Sequence, residues 1–329
     1  MAHLVLGLGS SHTPMLNAQA GDWERYIERD RAGAFLDKSG RPATYAELAE
    51  VVEPGVDQEI APDVLQQRFE YSQQGIAKVA ASIGHAKLDA LIVVGDDQKE
   101  LFLEDNLPCV LIYHGATIPN VPRHLRGKRH PEWFNRARAG YYEASDQADY
   151  PVHARLASHL VGSLIDMEFD ISSADRLRAG EGEGHAFGFV HHRLMGAGIL
   201  PIVPVFLNTY YPPNQPTPRR CYRLGQGIRA AVENYPEELR VGILASGGLS
   251  HFVVDEALDR GLISAMQRGD AEALWNLDRA KLNSGSSEIR NWICTAGAVE
   301  HLQMKWVDYL PCYRTQAGTG TGVCFAEWS

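Results

Sequence analysis

Three histidines and a short acidic run hold most of this chain's capacity for chemistry. His12 follows an apolar run in "LVLGLGSSHTPML" (4–16), and Asp96, Asp97, Gln98 and Glu100 follow another in "LIVVGDDQKELF" (91–102). His251 and Glu256 share "ASGGLSHFVVDEALD" (245–259), and His185 ends the glycine-rich "GEGEGH" (180–185). Imidazole, carboxylate and amide groups are ligands for a divalent metal, and a histidine titrating near neutrality also moves protons. Two other chemistries fit poorly. Gly7-Leu8-Gly9 resembles the start of a dinucleotide turn, but His12 stands where the third glycine belongs and no strand ending in an acid follows. Gly247-Gly248-Leu249-Ser250-His251 lacks the G-x-S-x-G elbow of a serine hydrolase.

Such residues must be delivered by regular elements. Apolar β-type runs at 3–8, 88–94 and 241–245, with a proline-interrupted fourth at 199–207, each end in a polar loop rich in glycine or proline. Apolar residues recur at three- and four-residue spacing over 62–83, 154–167, 219–234 and 255–267, which predicts helices. Strands alternating with helices predict an α/β fold: one domain over 1–329 with a mostly parallel central sheet flanked by helices. In such sheets sites form at the carboxyl ends of strands, where His12, the 96–100 run and His251–Glu256 would converge. Segments 17–61 and 103–150 read as long loop or helical insertions, of the kind that serve as lids or subunit contacts. Tyr210, Tyr211, Pro212 and Pro213 read as a turn or a pocket wall.

Composition narrows the field further. With 45% hydrophobic and 22% charged residues among 329, the chain can bury a large core. A net charge of -10 argues against a nucleic-acid partner, and the one basic stretch, 123–130, reads as a solvated loop. No signal-peptide pattern and no 18-residue apolar run occur, so a cytoplasmic protein without a membrane partner is expected. Five widely spaced cysteines without C-x-x-C suggest buried thiols.

Six segments in one order then carry a resemblance: "SSHTPML", "LIVVGDDQKELF", "HARLASHLVGSLIDMEFDIS" (153–172), "EGEGHAFG", "NTYYPPNQPTPRRCYRLGQGIRAAVE" (208–233) and "ASGGLSHFVVDEALD". "SGSSEIRNW" (284–292) and "GTGTGVCFAEW" (318–328) extend it. The chain resembles the catalytic β-subunit family of protocatechuate 4,5-dioxygenase, the type II extradiol ring-cleavage dioxygenases. The resemblance implies Fe(II) held by two histidines and a glutamate, with a separate acid–base histidine. Carried over, His12 and Glu256 are metal ligands and His185 is the acid–base residue; His153 and His251 occupy nearby substrate or supporting positions. Ser286 would bond a substrate carboxylate or cap a helix.

One departure stands out. Where the family usually has Asn-Asp-His, with that histidine a ligand, this chain has Asp96-Asp97-Gln98. Gln98 through its carbonyl oxygen is the expected second ligand, with Asp97 or Glu100, or no protein ligand at that place, as alternatives. The variant fits a branch acting on methoxylated catechols. The expected reaction is extradiol opening of 3-O-methylgallate, gallate or protocatechuate with O2, by a homodimer in which the long insertions would stand in for the small subunit that some relatives carry. The rivals are another reaction on a phenolic or heteroaromatic substrate in the same fold, and a non-catalytic subunit with a degraded metal site.

Overall fold

The four apolar runs become strands His3–Ser10, Ala90–Asp96, Ile202–Leu207 and Arg240–Ser246 in the computed structural model, which describes residues 1–122, 131–196 and 198–329. The basic stretch 123–130 lies outside the described residues. Every residue of Ala90–Asp96 and Ile202–Leu207 is buried, as parallel strands covered on both faces must be. The four lie side by side and parallel, in the spatial order His3–Ser10, Arg240–Ser246, Ala90–Asp96, Ile202–Leu207. Their carboxyl ends therefore share one edge.

The margins of this nine-stranded sheet depart from the parallel centre. Val110–Tyr113 runs antiparallel to Ile202–Leu207 and carries the short strand Ser172–Ala174 beyond it. On the other side Thr319–Trp328 runs antiparallel to His3–Ser10, and both Met304–Tyr313 and His251–Val253 pair with it. Helix Pro62–Ala86 covers one face, packing Leu65, Ile76 and Val79 with Leu6, Leu8 and Val93. Helices Ala154–Asp166, Pro218–Glu233 and Glu256–Arg268 cover the other with Leu160, Ile228 and Leu262.

A fourth helix on that second face, Ile289–Ala298, has all ten of its residues buried. It reaches the sheet because glycines make room. A Cβ on Gly9 would lie 2.1 Å from the Trp292 ring, and one on Gly7 would lie 2.5 Å from Val299 Cγ1. Neighbouring helix Pro218–Glu233 approaches as closely: a Cβ on Gly225 would stand 1.9 Å from the Cys294 carbonyl oxygen. Trp292 Nε1 donates to the Gly247 carbonyl at 2.8 Å and Asn291 Nδ2 to that of Ser246 at 2.9 Å. These bonds fix the helix start, and with it Glu288, at the carboxyl edge of the sheet.

Segment 17–61 holds short helical turns and the hairpin Ala34–Leu36 with Pro42–Thr44. Within 103–150, Thr117–Asn120 begins a second hairpin that Ala148–Pro151 completes, and helix Glu132–Ala139 lies between them. All five cysteines are free thiols, four of them buried and Cys109 partly exposed.

Candidate metal centre

His12 stands two residues past its strand, and its ring is oriented by a relay. Nδ1 lies 2.9 Å from Ser246 Oγ, and that hydroxyl donates to the Ala186 carbonyl at 2.6 Å. Because the serine proton is committed to the carbonyl, Oγ accepts from Nδ1–H, which leaves the His12 lone pair on Nε2. Nε2 is buried with no hydrogen-bond partner among the described residues, and so is Asp96 Oδ1. Nε2 lies 3.4 Å from Glu288 Oε2 and 4.0 Å from Asp96 Oδ1. His12, Asp96, His185 and Glu288 each bring a ligand atom within 4.8 Å of one another, all buried.

The electrostatics match a cation site. Burial and then the Glu288 charge push the Asp96 carboxyl up to about 6. Burial alone would raise Glu288 too, but the facing His251 and His12 rings hold it well below the usual carboxylate range. Two carboxylates this close resist ionising together unless a cation joins them. The orphaned imidazole lone pair and orphaned carboxylate oxygen are the two unsatisfied groups a divalent ion would satisfy.

Gln98 enters the cluster as expected, though in another capacity. Its amide nitrogen donates to Asp96 Oδ2 and to Glu288 Oε1, each at 3.2 Å, and lies 3.4 Å from His185 Nε2. It ties the two carboxylates together with its nitrogen turned inward. Asp97 turns away and accepts the backbone N–H groups of Leu101 and Phe102, both at 3.0 Å, closing the turn after the strand. Burial and then the neighbouring Glu100 push its carboxyl up to about 7.

His185 begins a short buried helix after its glycine loop. Glu100 Oε2 accepts both its Nδ1, at 2.7 Å, and its backbone N–H, at 2.8 Å. Glu100 also accepts from the Tyr142 hydroxyl at 2.8 Å and faces Arg138 at 3.5 Å. It therefore orients His185 and points away from the metal cluster. Burial would lower the His185 pKa, but Glu100 overrides it and raises the imidazole to about 9.

His251 is buried, with Nδ1 donating to the Leu249 carbonyl at 2.8 Å and Nε2 3.1 Å from Glu288 Oε1. Both ring nitrogens face acceptors, so the ring braces Glu288. Ser286 Oγ accepts from His251 N at 3.0 Å and donates to His251 O at 3.1 Å, holding that segment in place. It serves the backbone here.

Two expected residues lie elsewhere. Glu256 opens helix Glu256–Arg268, accepts from the Tyr313 hydroxyl at 3.0 Å and pairs with Arg260 at 2.7 Å. It is a first-turn acid complementing the helix dipole, and Glu288 holds the position expected for it. His153 caps helix Ala154–Asp166 by accepting the Leu156 N–H at 3.2 Å. Its backbone N–H binds Ile202 O, at the amino end of that strand and therefore at the opposite edge of the sheet. Asp96 and Glu288 were absent from the expected ligands: Asp96 could have been found as the first acid at the end of a fully buried apolar strand, whereas nothing in the local sequence set Glu288 apart from Glu256.

A cavity of about 120 Å³ opens beside the cluster, bounded by Gln98, His185, Glu288 and Tyr210. The two inserted segments supply other walls, with Tyr26 and Arg29 from one and Phe134 and Arg138 from the other.

An α/β sheet with a buried histidine–carboxylate cluster at its carboxyl edge offers the donor set a divalent metal would take, beside an aromatic-walled cavity with room for a small ligand. Residues 110–324 match the family described as the catalytic LigB subunit of aromatic ring-opening dioxygenase, and the chain belongs to that family. Gallate dioxygenase of Pseudomonas putida is 39% identical over 107 residues, covering 32% of this chain and 30% of that protein. The 2,3-dihydroxyphenylpropionate/2,3-dihydroxicinnamic acid 1,2-dioxygenase of Comamonas testosteroni is 33% identical over 178 residues, 54% of this chain and 48% of that protein. The chain thus spans less than half the length of either curated relative. Among the described residues, no helix is long and apolar enough to cross a membrane.

Proposed function

We propose that this chain is an Fe(II)-dependent extradiol dioxygenase that opens a catecholic aromatic acid, with His12, Asp96 and Glu288 holding the metal. The observation that carries this reading is the convergence of two buried, unpartnered ligand atoms, His12 Nε2 and Asp96 Oδ1, on Glu288 beside an aromatic-walled cavity. When bound, the metal supplies the redox chemistry that lets triplet dioxygen react with a singlet ring.

The protein's own residues do the rest. His185, fixed through Nδ1 by Glu100, turns Nε2 toward the cluster; held protonated by Glu100, it can give a proton to a ligand oxygen there and take one back later. His251 and Gln98 hold Glu288 in place from two sides. Tyr26 and Phe134 offer apolar faces to an aromatic ring. Arg29, stacked on Phe134 at 4.5 Å and without an ion pair among the described residues, suits the substrate's carboxylate. The matched relatives are named for gallate and 2,3-dihydroxyphenylpropionate, both carboxylated vicinal diols.

Anaerobic loading with Fe(II), followed by oxygen-uptake assays over protocatechuate, gallate, 3-O-methylgallate and catechol, tests the proposal. Uptake with a carboxylated diol is expected, and no uptake with any vicinal diol refutes it. A second reading, a different reaction on a phenolic substrate, is favoured by the ligand set itself, because two carboxylates and one imidazole make a harder site than the family's usual set. Metal-dependent turnover of a phenol lacking a vicinal diol would support it. The homodimer that accompanies the main reading is checked by light scattering on the purified protein.

A further inference from the structure

We propose that Tyr210 is a catalytic residue whose hydroxyl donates a hydrogen bond to a ring oxygen of the bound catechol; this role rests on the ring-opening reading above. Tyr210 lies just past the strand Ile202–Leu207, at the same sheet edge as the metal cluster. Its backbone is clamped on both sides. Asn208 Nδ2 donates to the Tyr211 carbonyl at 2.7 Å and Asn208 Oδ1 accepts from Tyr211 N at 2.9 Å. The buried Arg290 donates to the Thr209 carbonyl at 3.3 Å and to that of Pro216 at 2.8 Å.

So held, the side chain lines the cavity beside Gln98, His185 and Glu288. Its hydroxyl is buried and has no hydrogen-bond partner among the described residues. A buried phenol left unsatisfied destabilises the folded protein, and phenylalanine would fill the same space without that cost. The hydroxyl gains a partner if the cavity's ligand provides an acceptor. Burial, the largest cause, raises its pKa above that of a free phenol, and an unionised phenol is a hydrogen-bond donor. A deprotonated catechol oxygen is the acceptor that the proposed substrate brings beside these residues, and charged acceptors make the stronger hydrogen bonds.

The test is Tyr210→Phe, made in the full chain and compared with the parent in three measurements: iron content, thermal melting without metal, and anaerobic titration of the Fe(II)-loaded protein with 4-nitrocatechol. Its visible absorption reports both binding and ionisation. Expected are equal iron content, an unchanged or higher melting temperature, and dissociation about tenfold weaker (about 1.4 kcal/mol at 25 °C). The bound nitrocatechol should also ionise at higher pH. Unchanged affinity and ionisation would overturn the proposal. So would a lower melting temperature or lost iron, because the hydroxyl would then serve the fold or the ligand set. If no diol supports oxygen uptake and nitrocatechol binding still depends on Tyr210, the ring-opening reading fails and this contact stands.

Discussion

Replacing Glu100 by glutamine removes the charge that holds His185 while keeping an oxygen to accept its hydrogen bonds. In the metal-free protein the imidazole is raised from 6.5 to about 9, with Glu100 overriding the opposing effect of burial. At about 1.36 kcal/mol per pH unit, that difference is worth at most roughly 3 kcal/mol. The sign follows from linkage. A raised histidine pKa stabilises fully below 6.5, and the contribution is lost as pH rises through about 9. Glu100 is held below its ordinary 4.5, so its contribution is present above that value and lost as pH falls. The pair is therefore worth most between about pH 4.5 and 6.5. Unfolding entropy of roughly 2.1 cal/mol/K per residue over 329 residues converts roughly 3 kcal/mol into a melting shift of about 4–5 °C. Glu100→Gln should melt up to about 5 °C lower at pH 6 and close to the parent at pH 10. His185 should titrate near or below 6.5 by NMR. Equal losses at both pH values, or an unmoved His185 titration, would show that the Glu100 charge does not hold the imidazole protonated.

Three further substitutions probe other links of the same chain. Ser246→Ala frees the His12 tautomer, so competition with a chromophoric chelator should show metal affinity falling about 10- to 100-fold, the usual range for losing such a partner. Gly9→Ala drives a methyl into the Trp292 ring, and calorimetry should show at least about 1–3 kcal/mol of destabilisation; a neutral result would contradict the close packing described. Arg29→Gln should raise KM for protocatechuate about tenfold and leave that for catechol unchanged, measured by oxygen uptake; equal effects on both would remove Arg29 from carboxylate recognition.

The parallel centre of the sheet was legible because strands buried on both faces read as unbroken apolar runs ending in glycine or proline. The antiparallel hairpin Met304–Tyr313 with Thr319–Trp328 was not, because its first strand is half-buried and carries no clear alternation. The two glycines before His12 were readable as something other than a phosphate turn. That they admit a buried helix needed the structure, since Trp292 is nearly three hundred residues away. His12 and Gln98 fall in the cluster because each follows a strand whose end the sequence marks. The carboxylate was harder. Glu256 and Glu288 both begin helices, and local sequence does not say which helix start meets the sheet edge. The fully buried helix behind Glu288 decides it, through bonds from Asn291 and Trp292 to the strand end at Ser246 and Gly247. Glu100, read from sequence as an alternative metal ligand beside Gln98, instead holds His185, which the fold brings across from 85 positions further along the chain.

If Glu288 and Asp96, with His12, hold the metal, equilibrium Fe(II) binding depends on both carboxylates and not on Glu256. Anaerobic titration of the parent, Glu288→Gln, Asp96→Asn and Glu256→Gln should give at least tenfold weaker binding for the first two variants and parental binding for Glu256→Gln. Undiminished binding in Glu288→Gln, or loss of iron in Glu256→Gln, would contradict it.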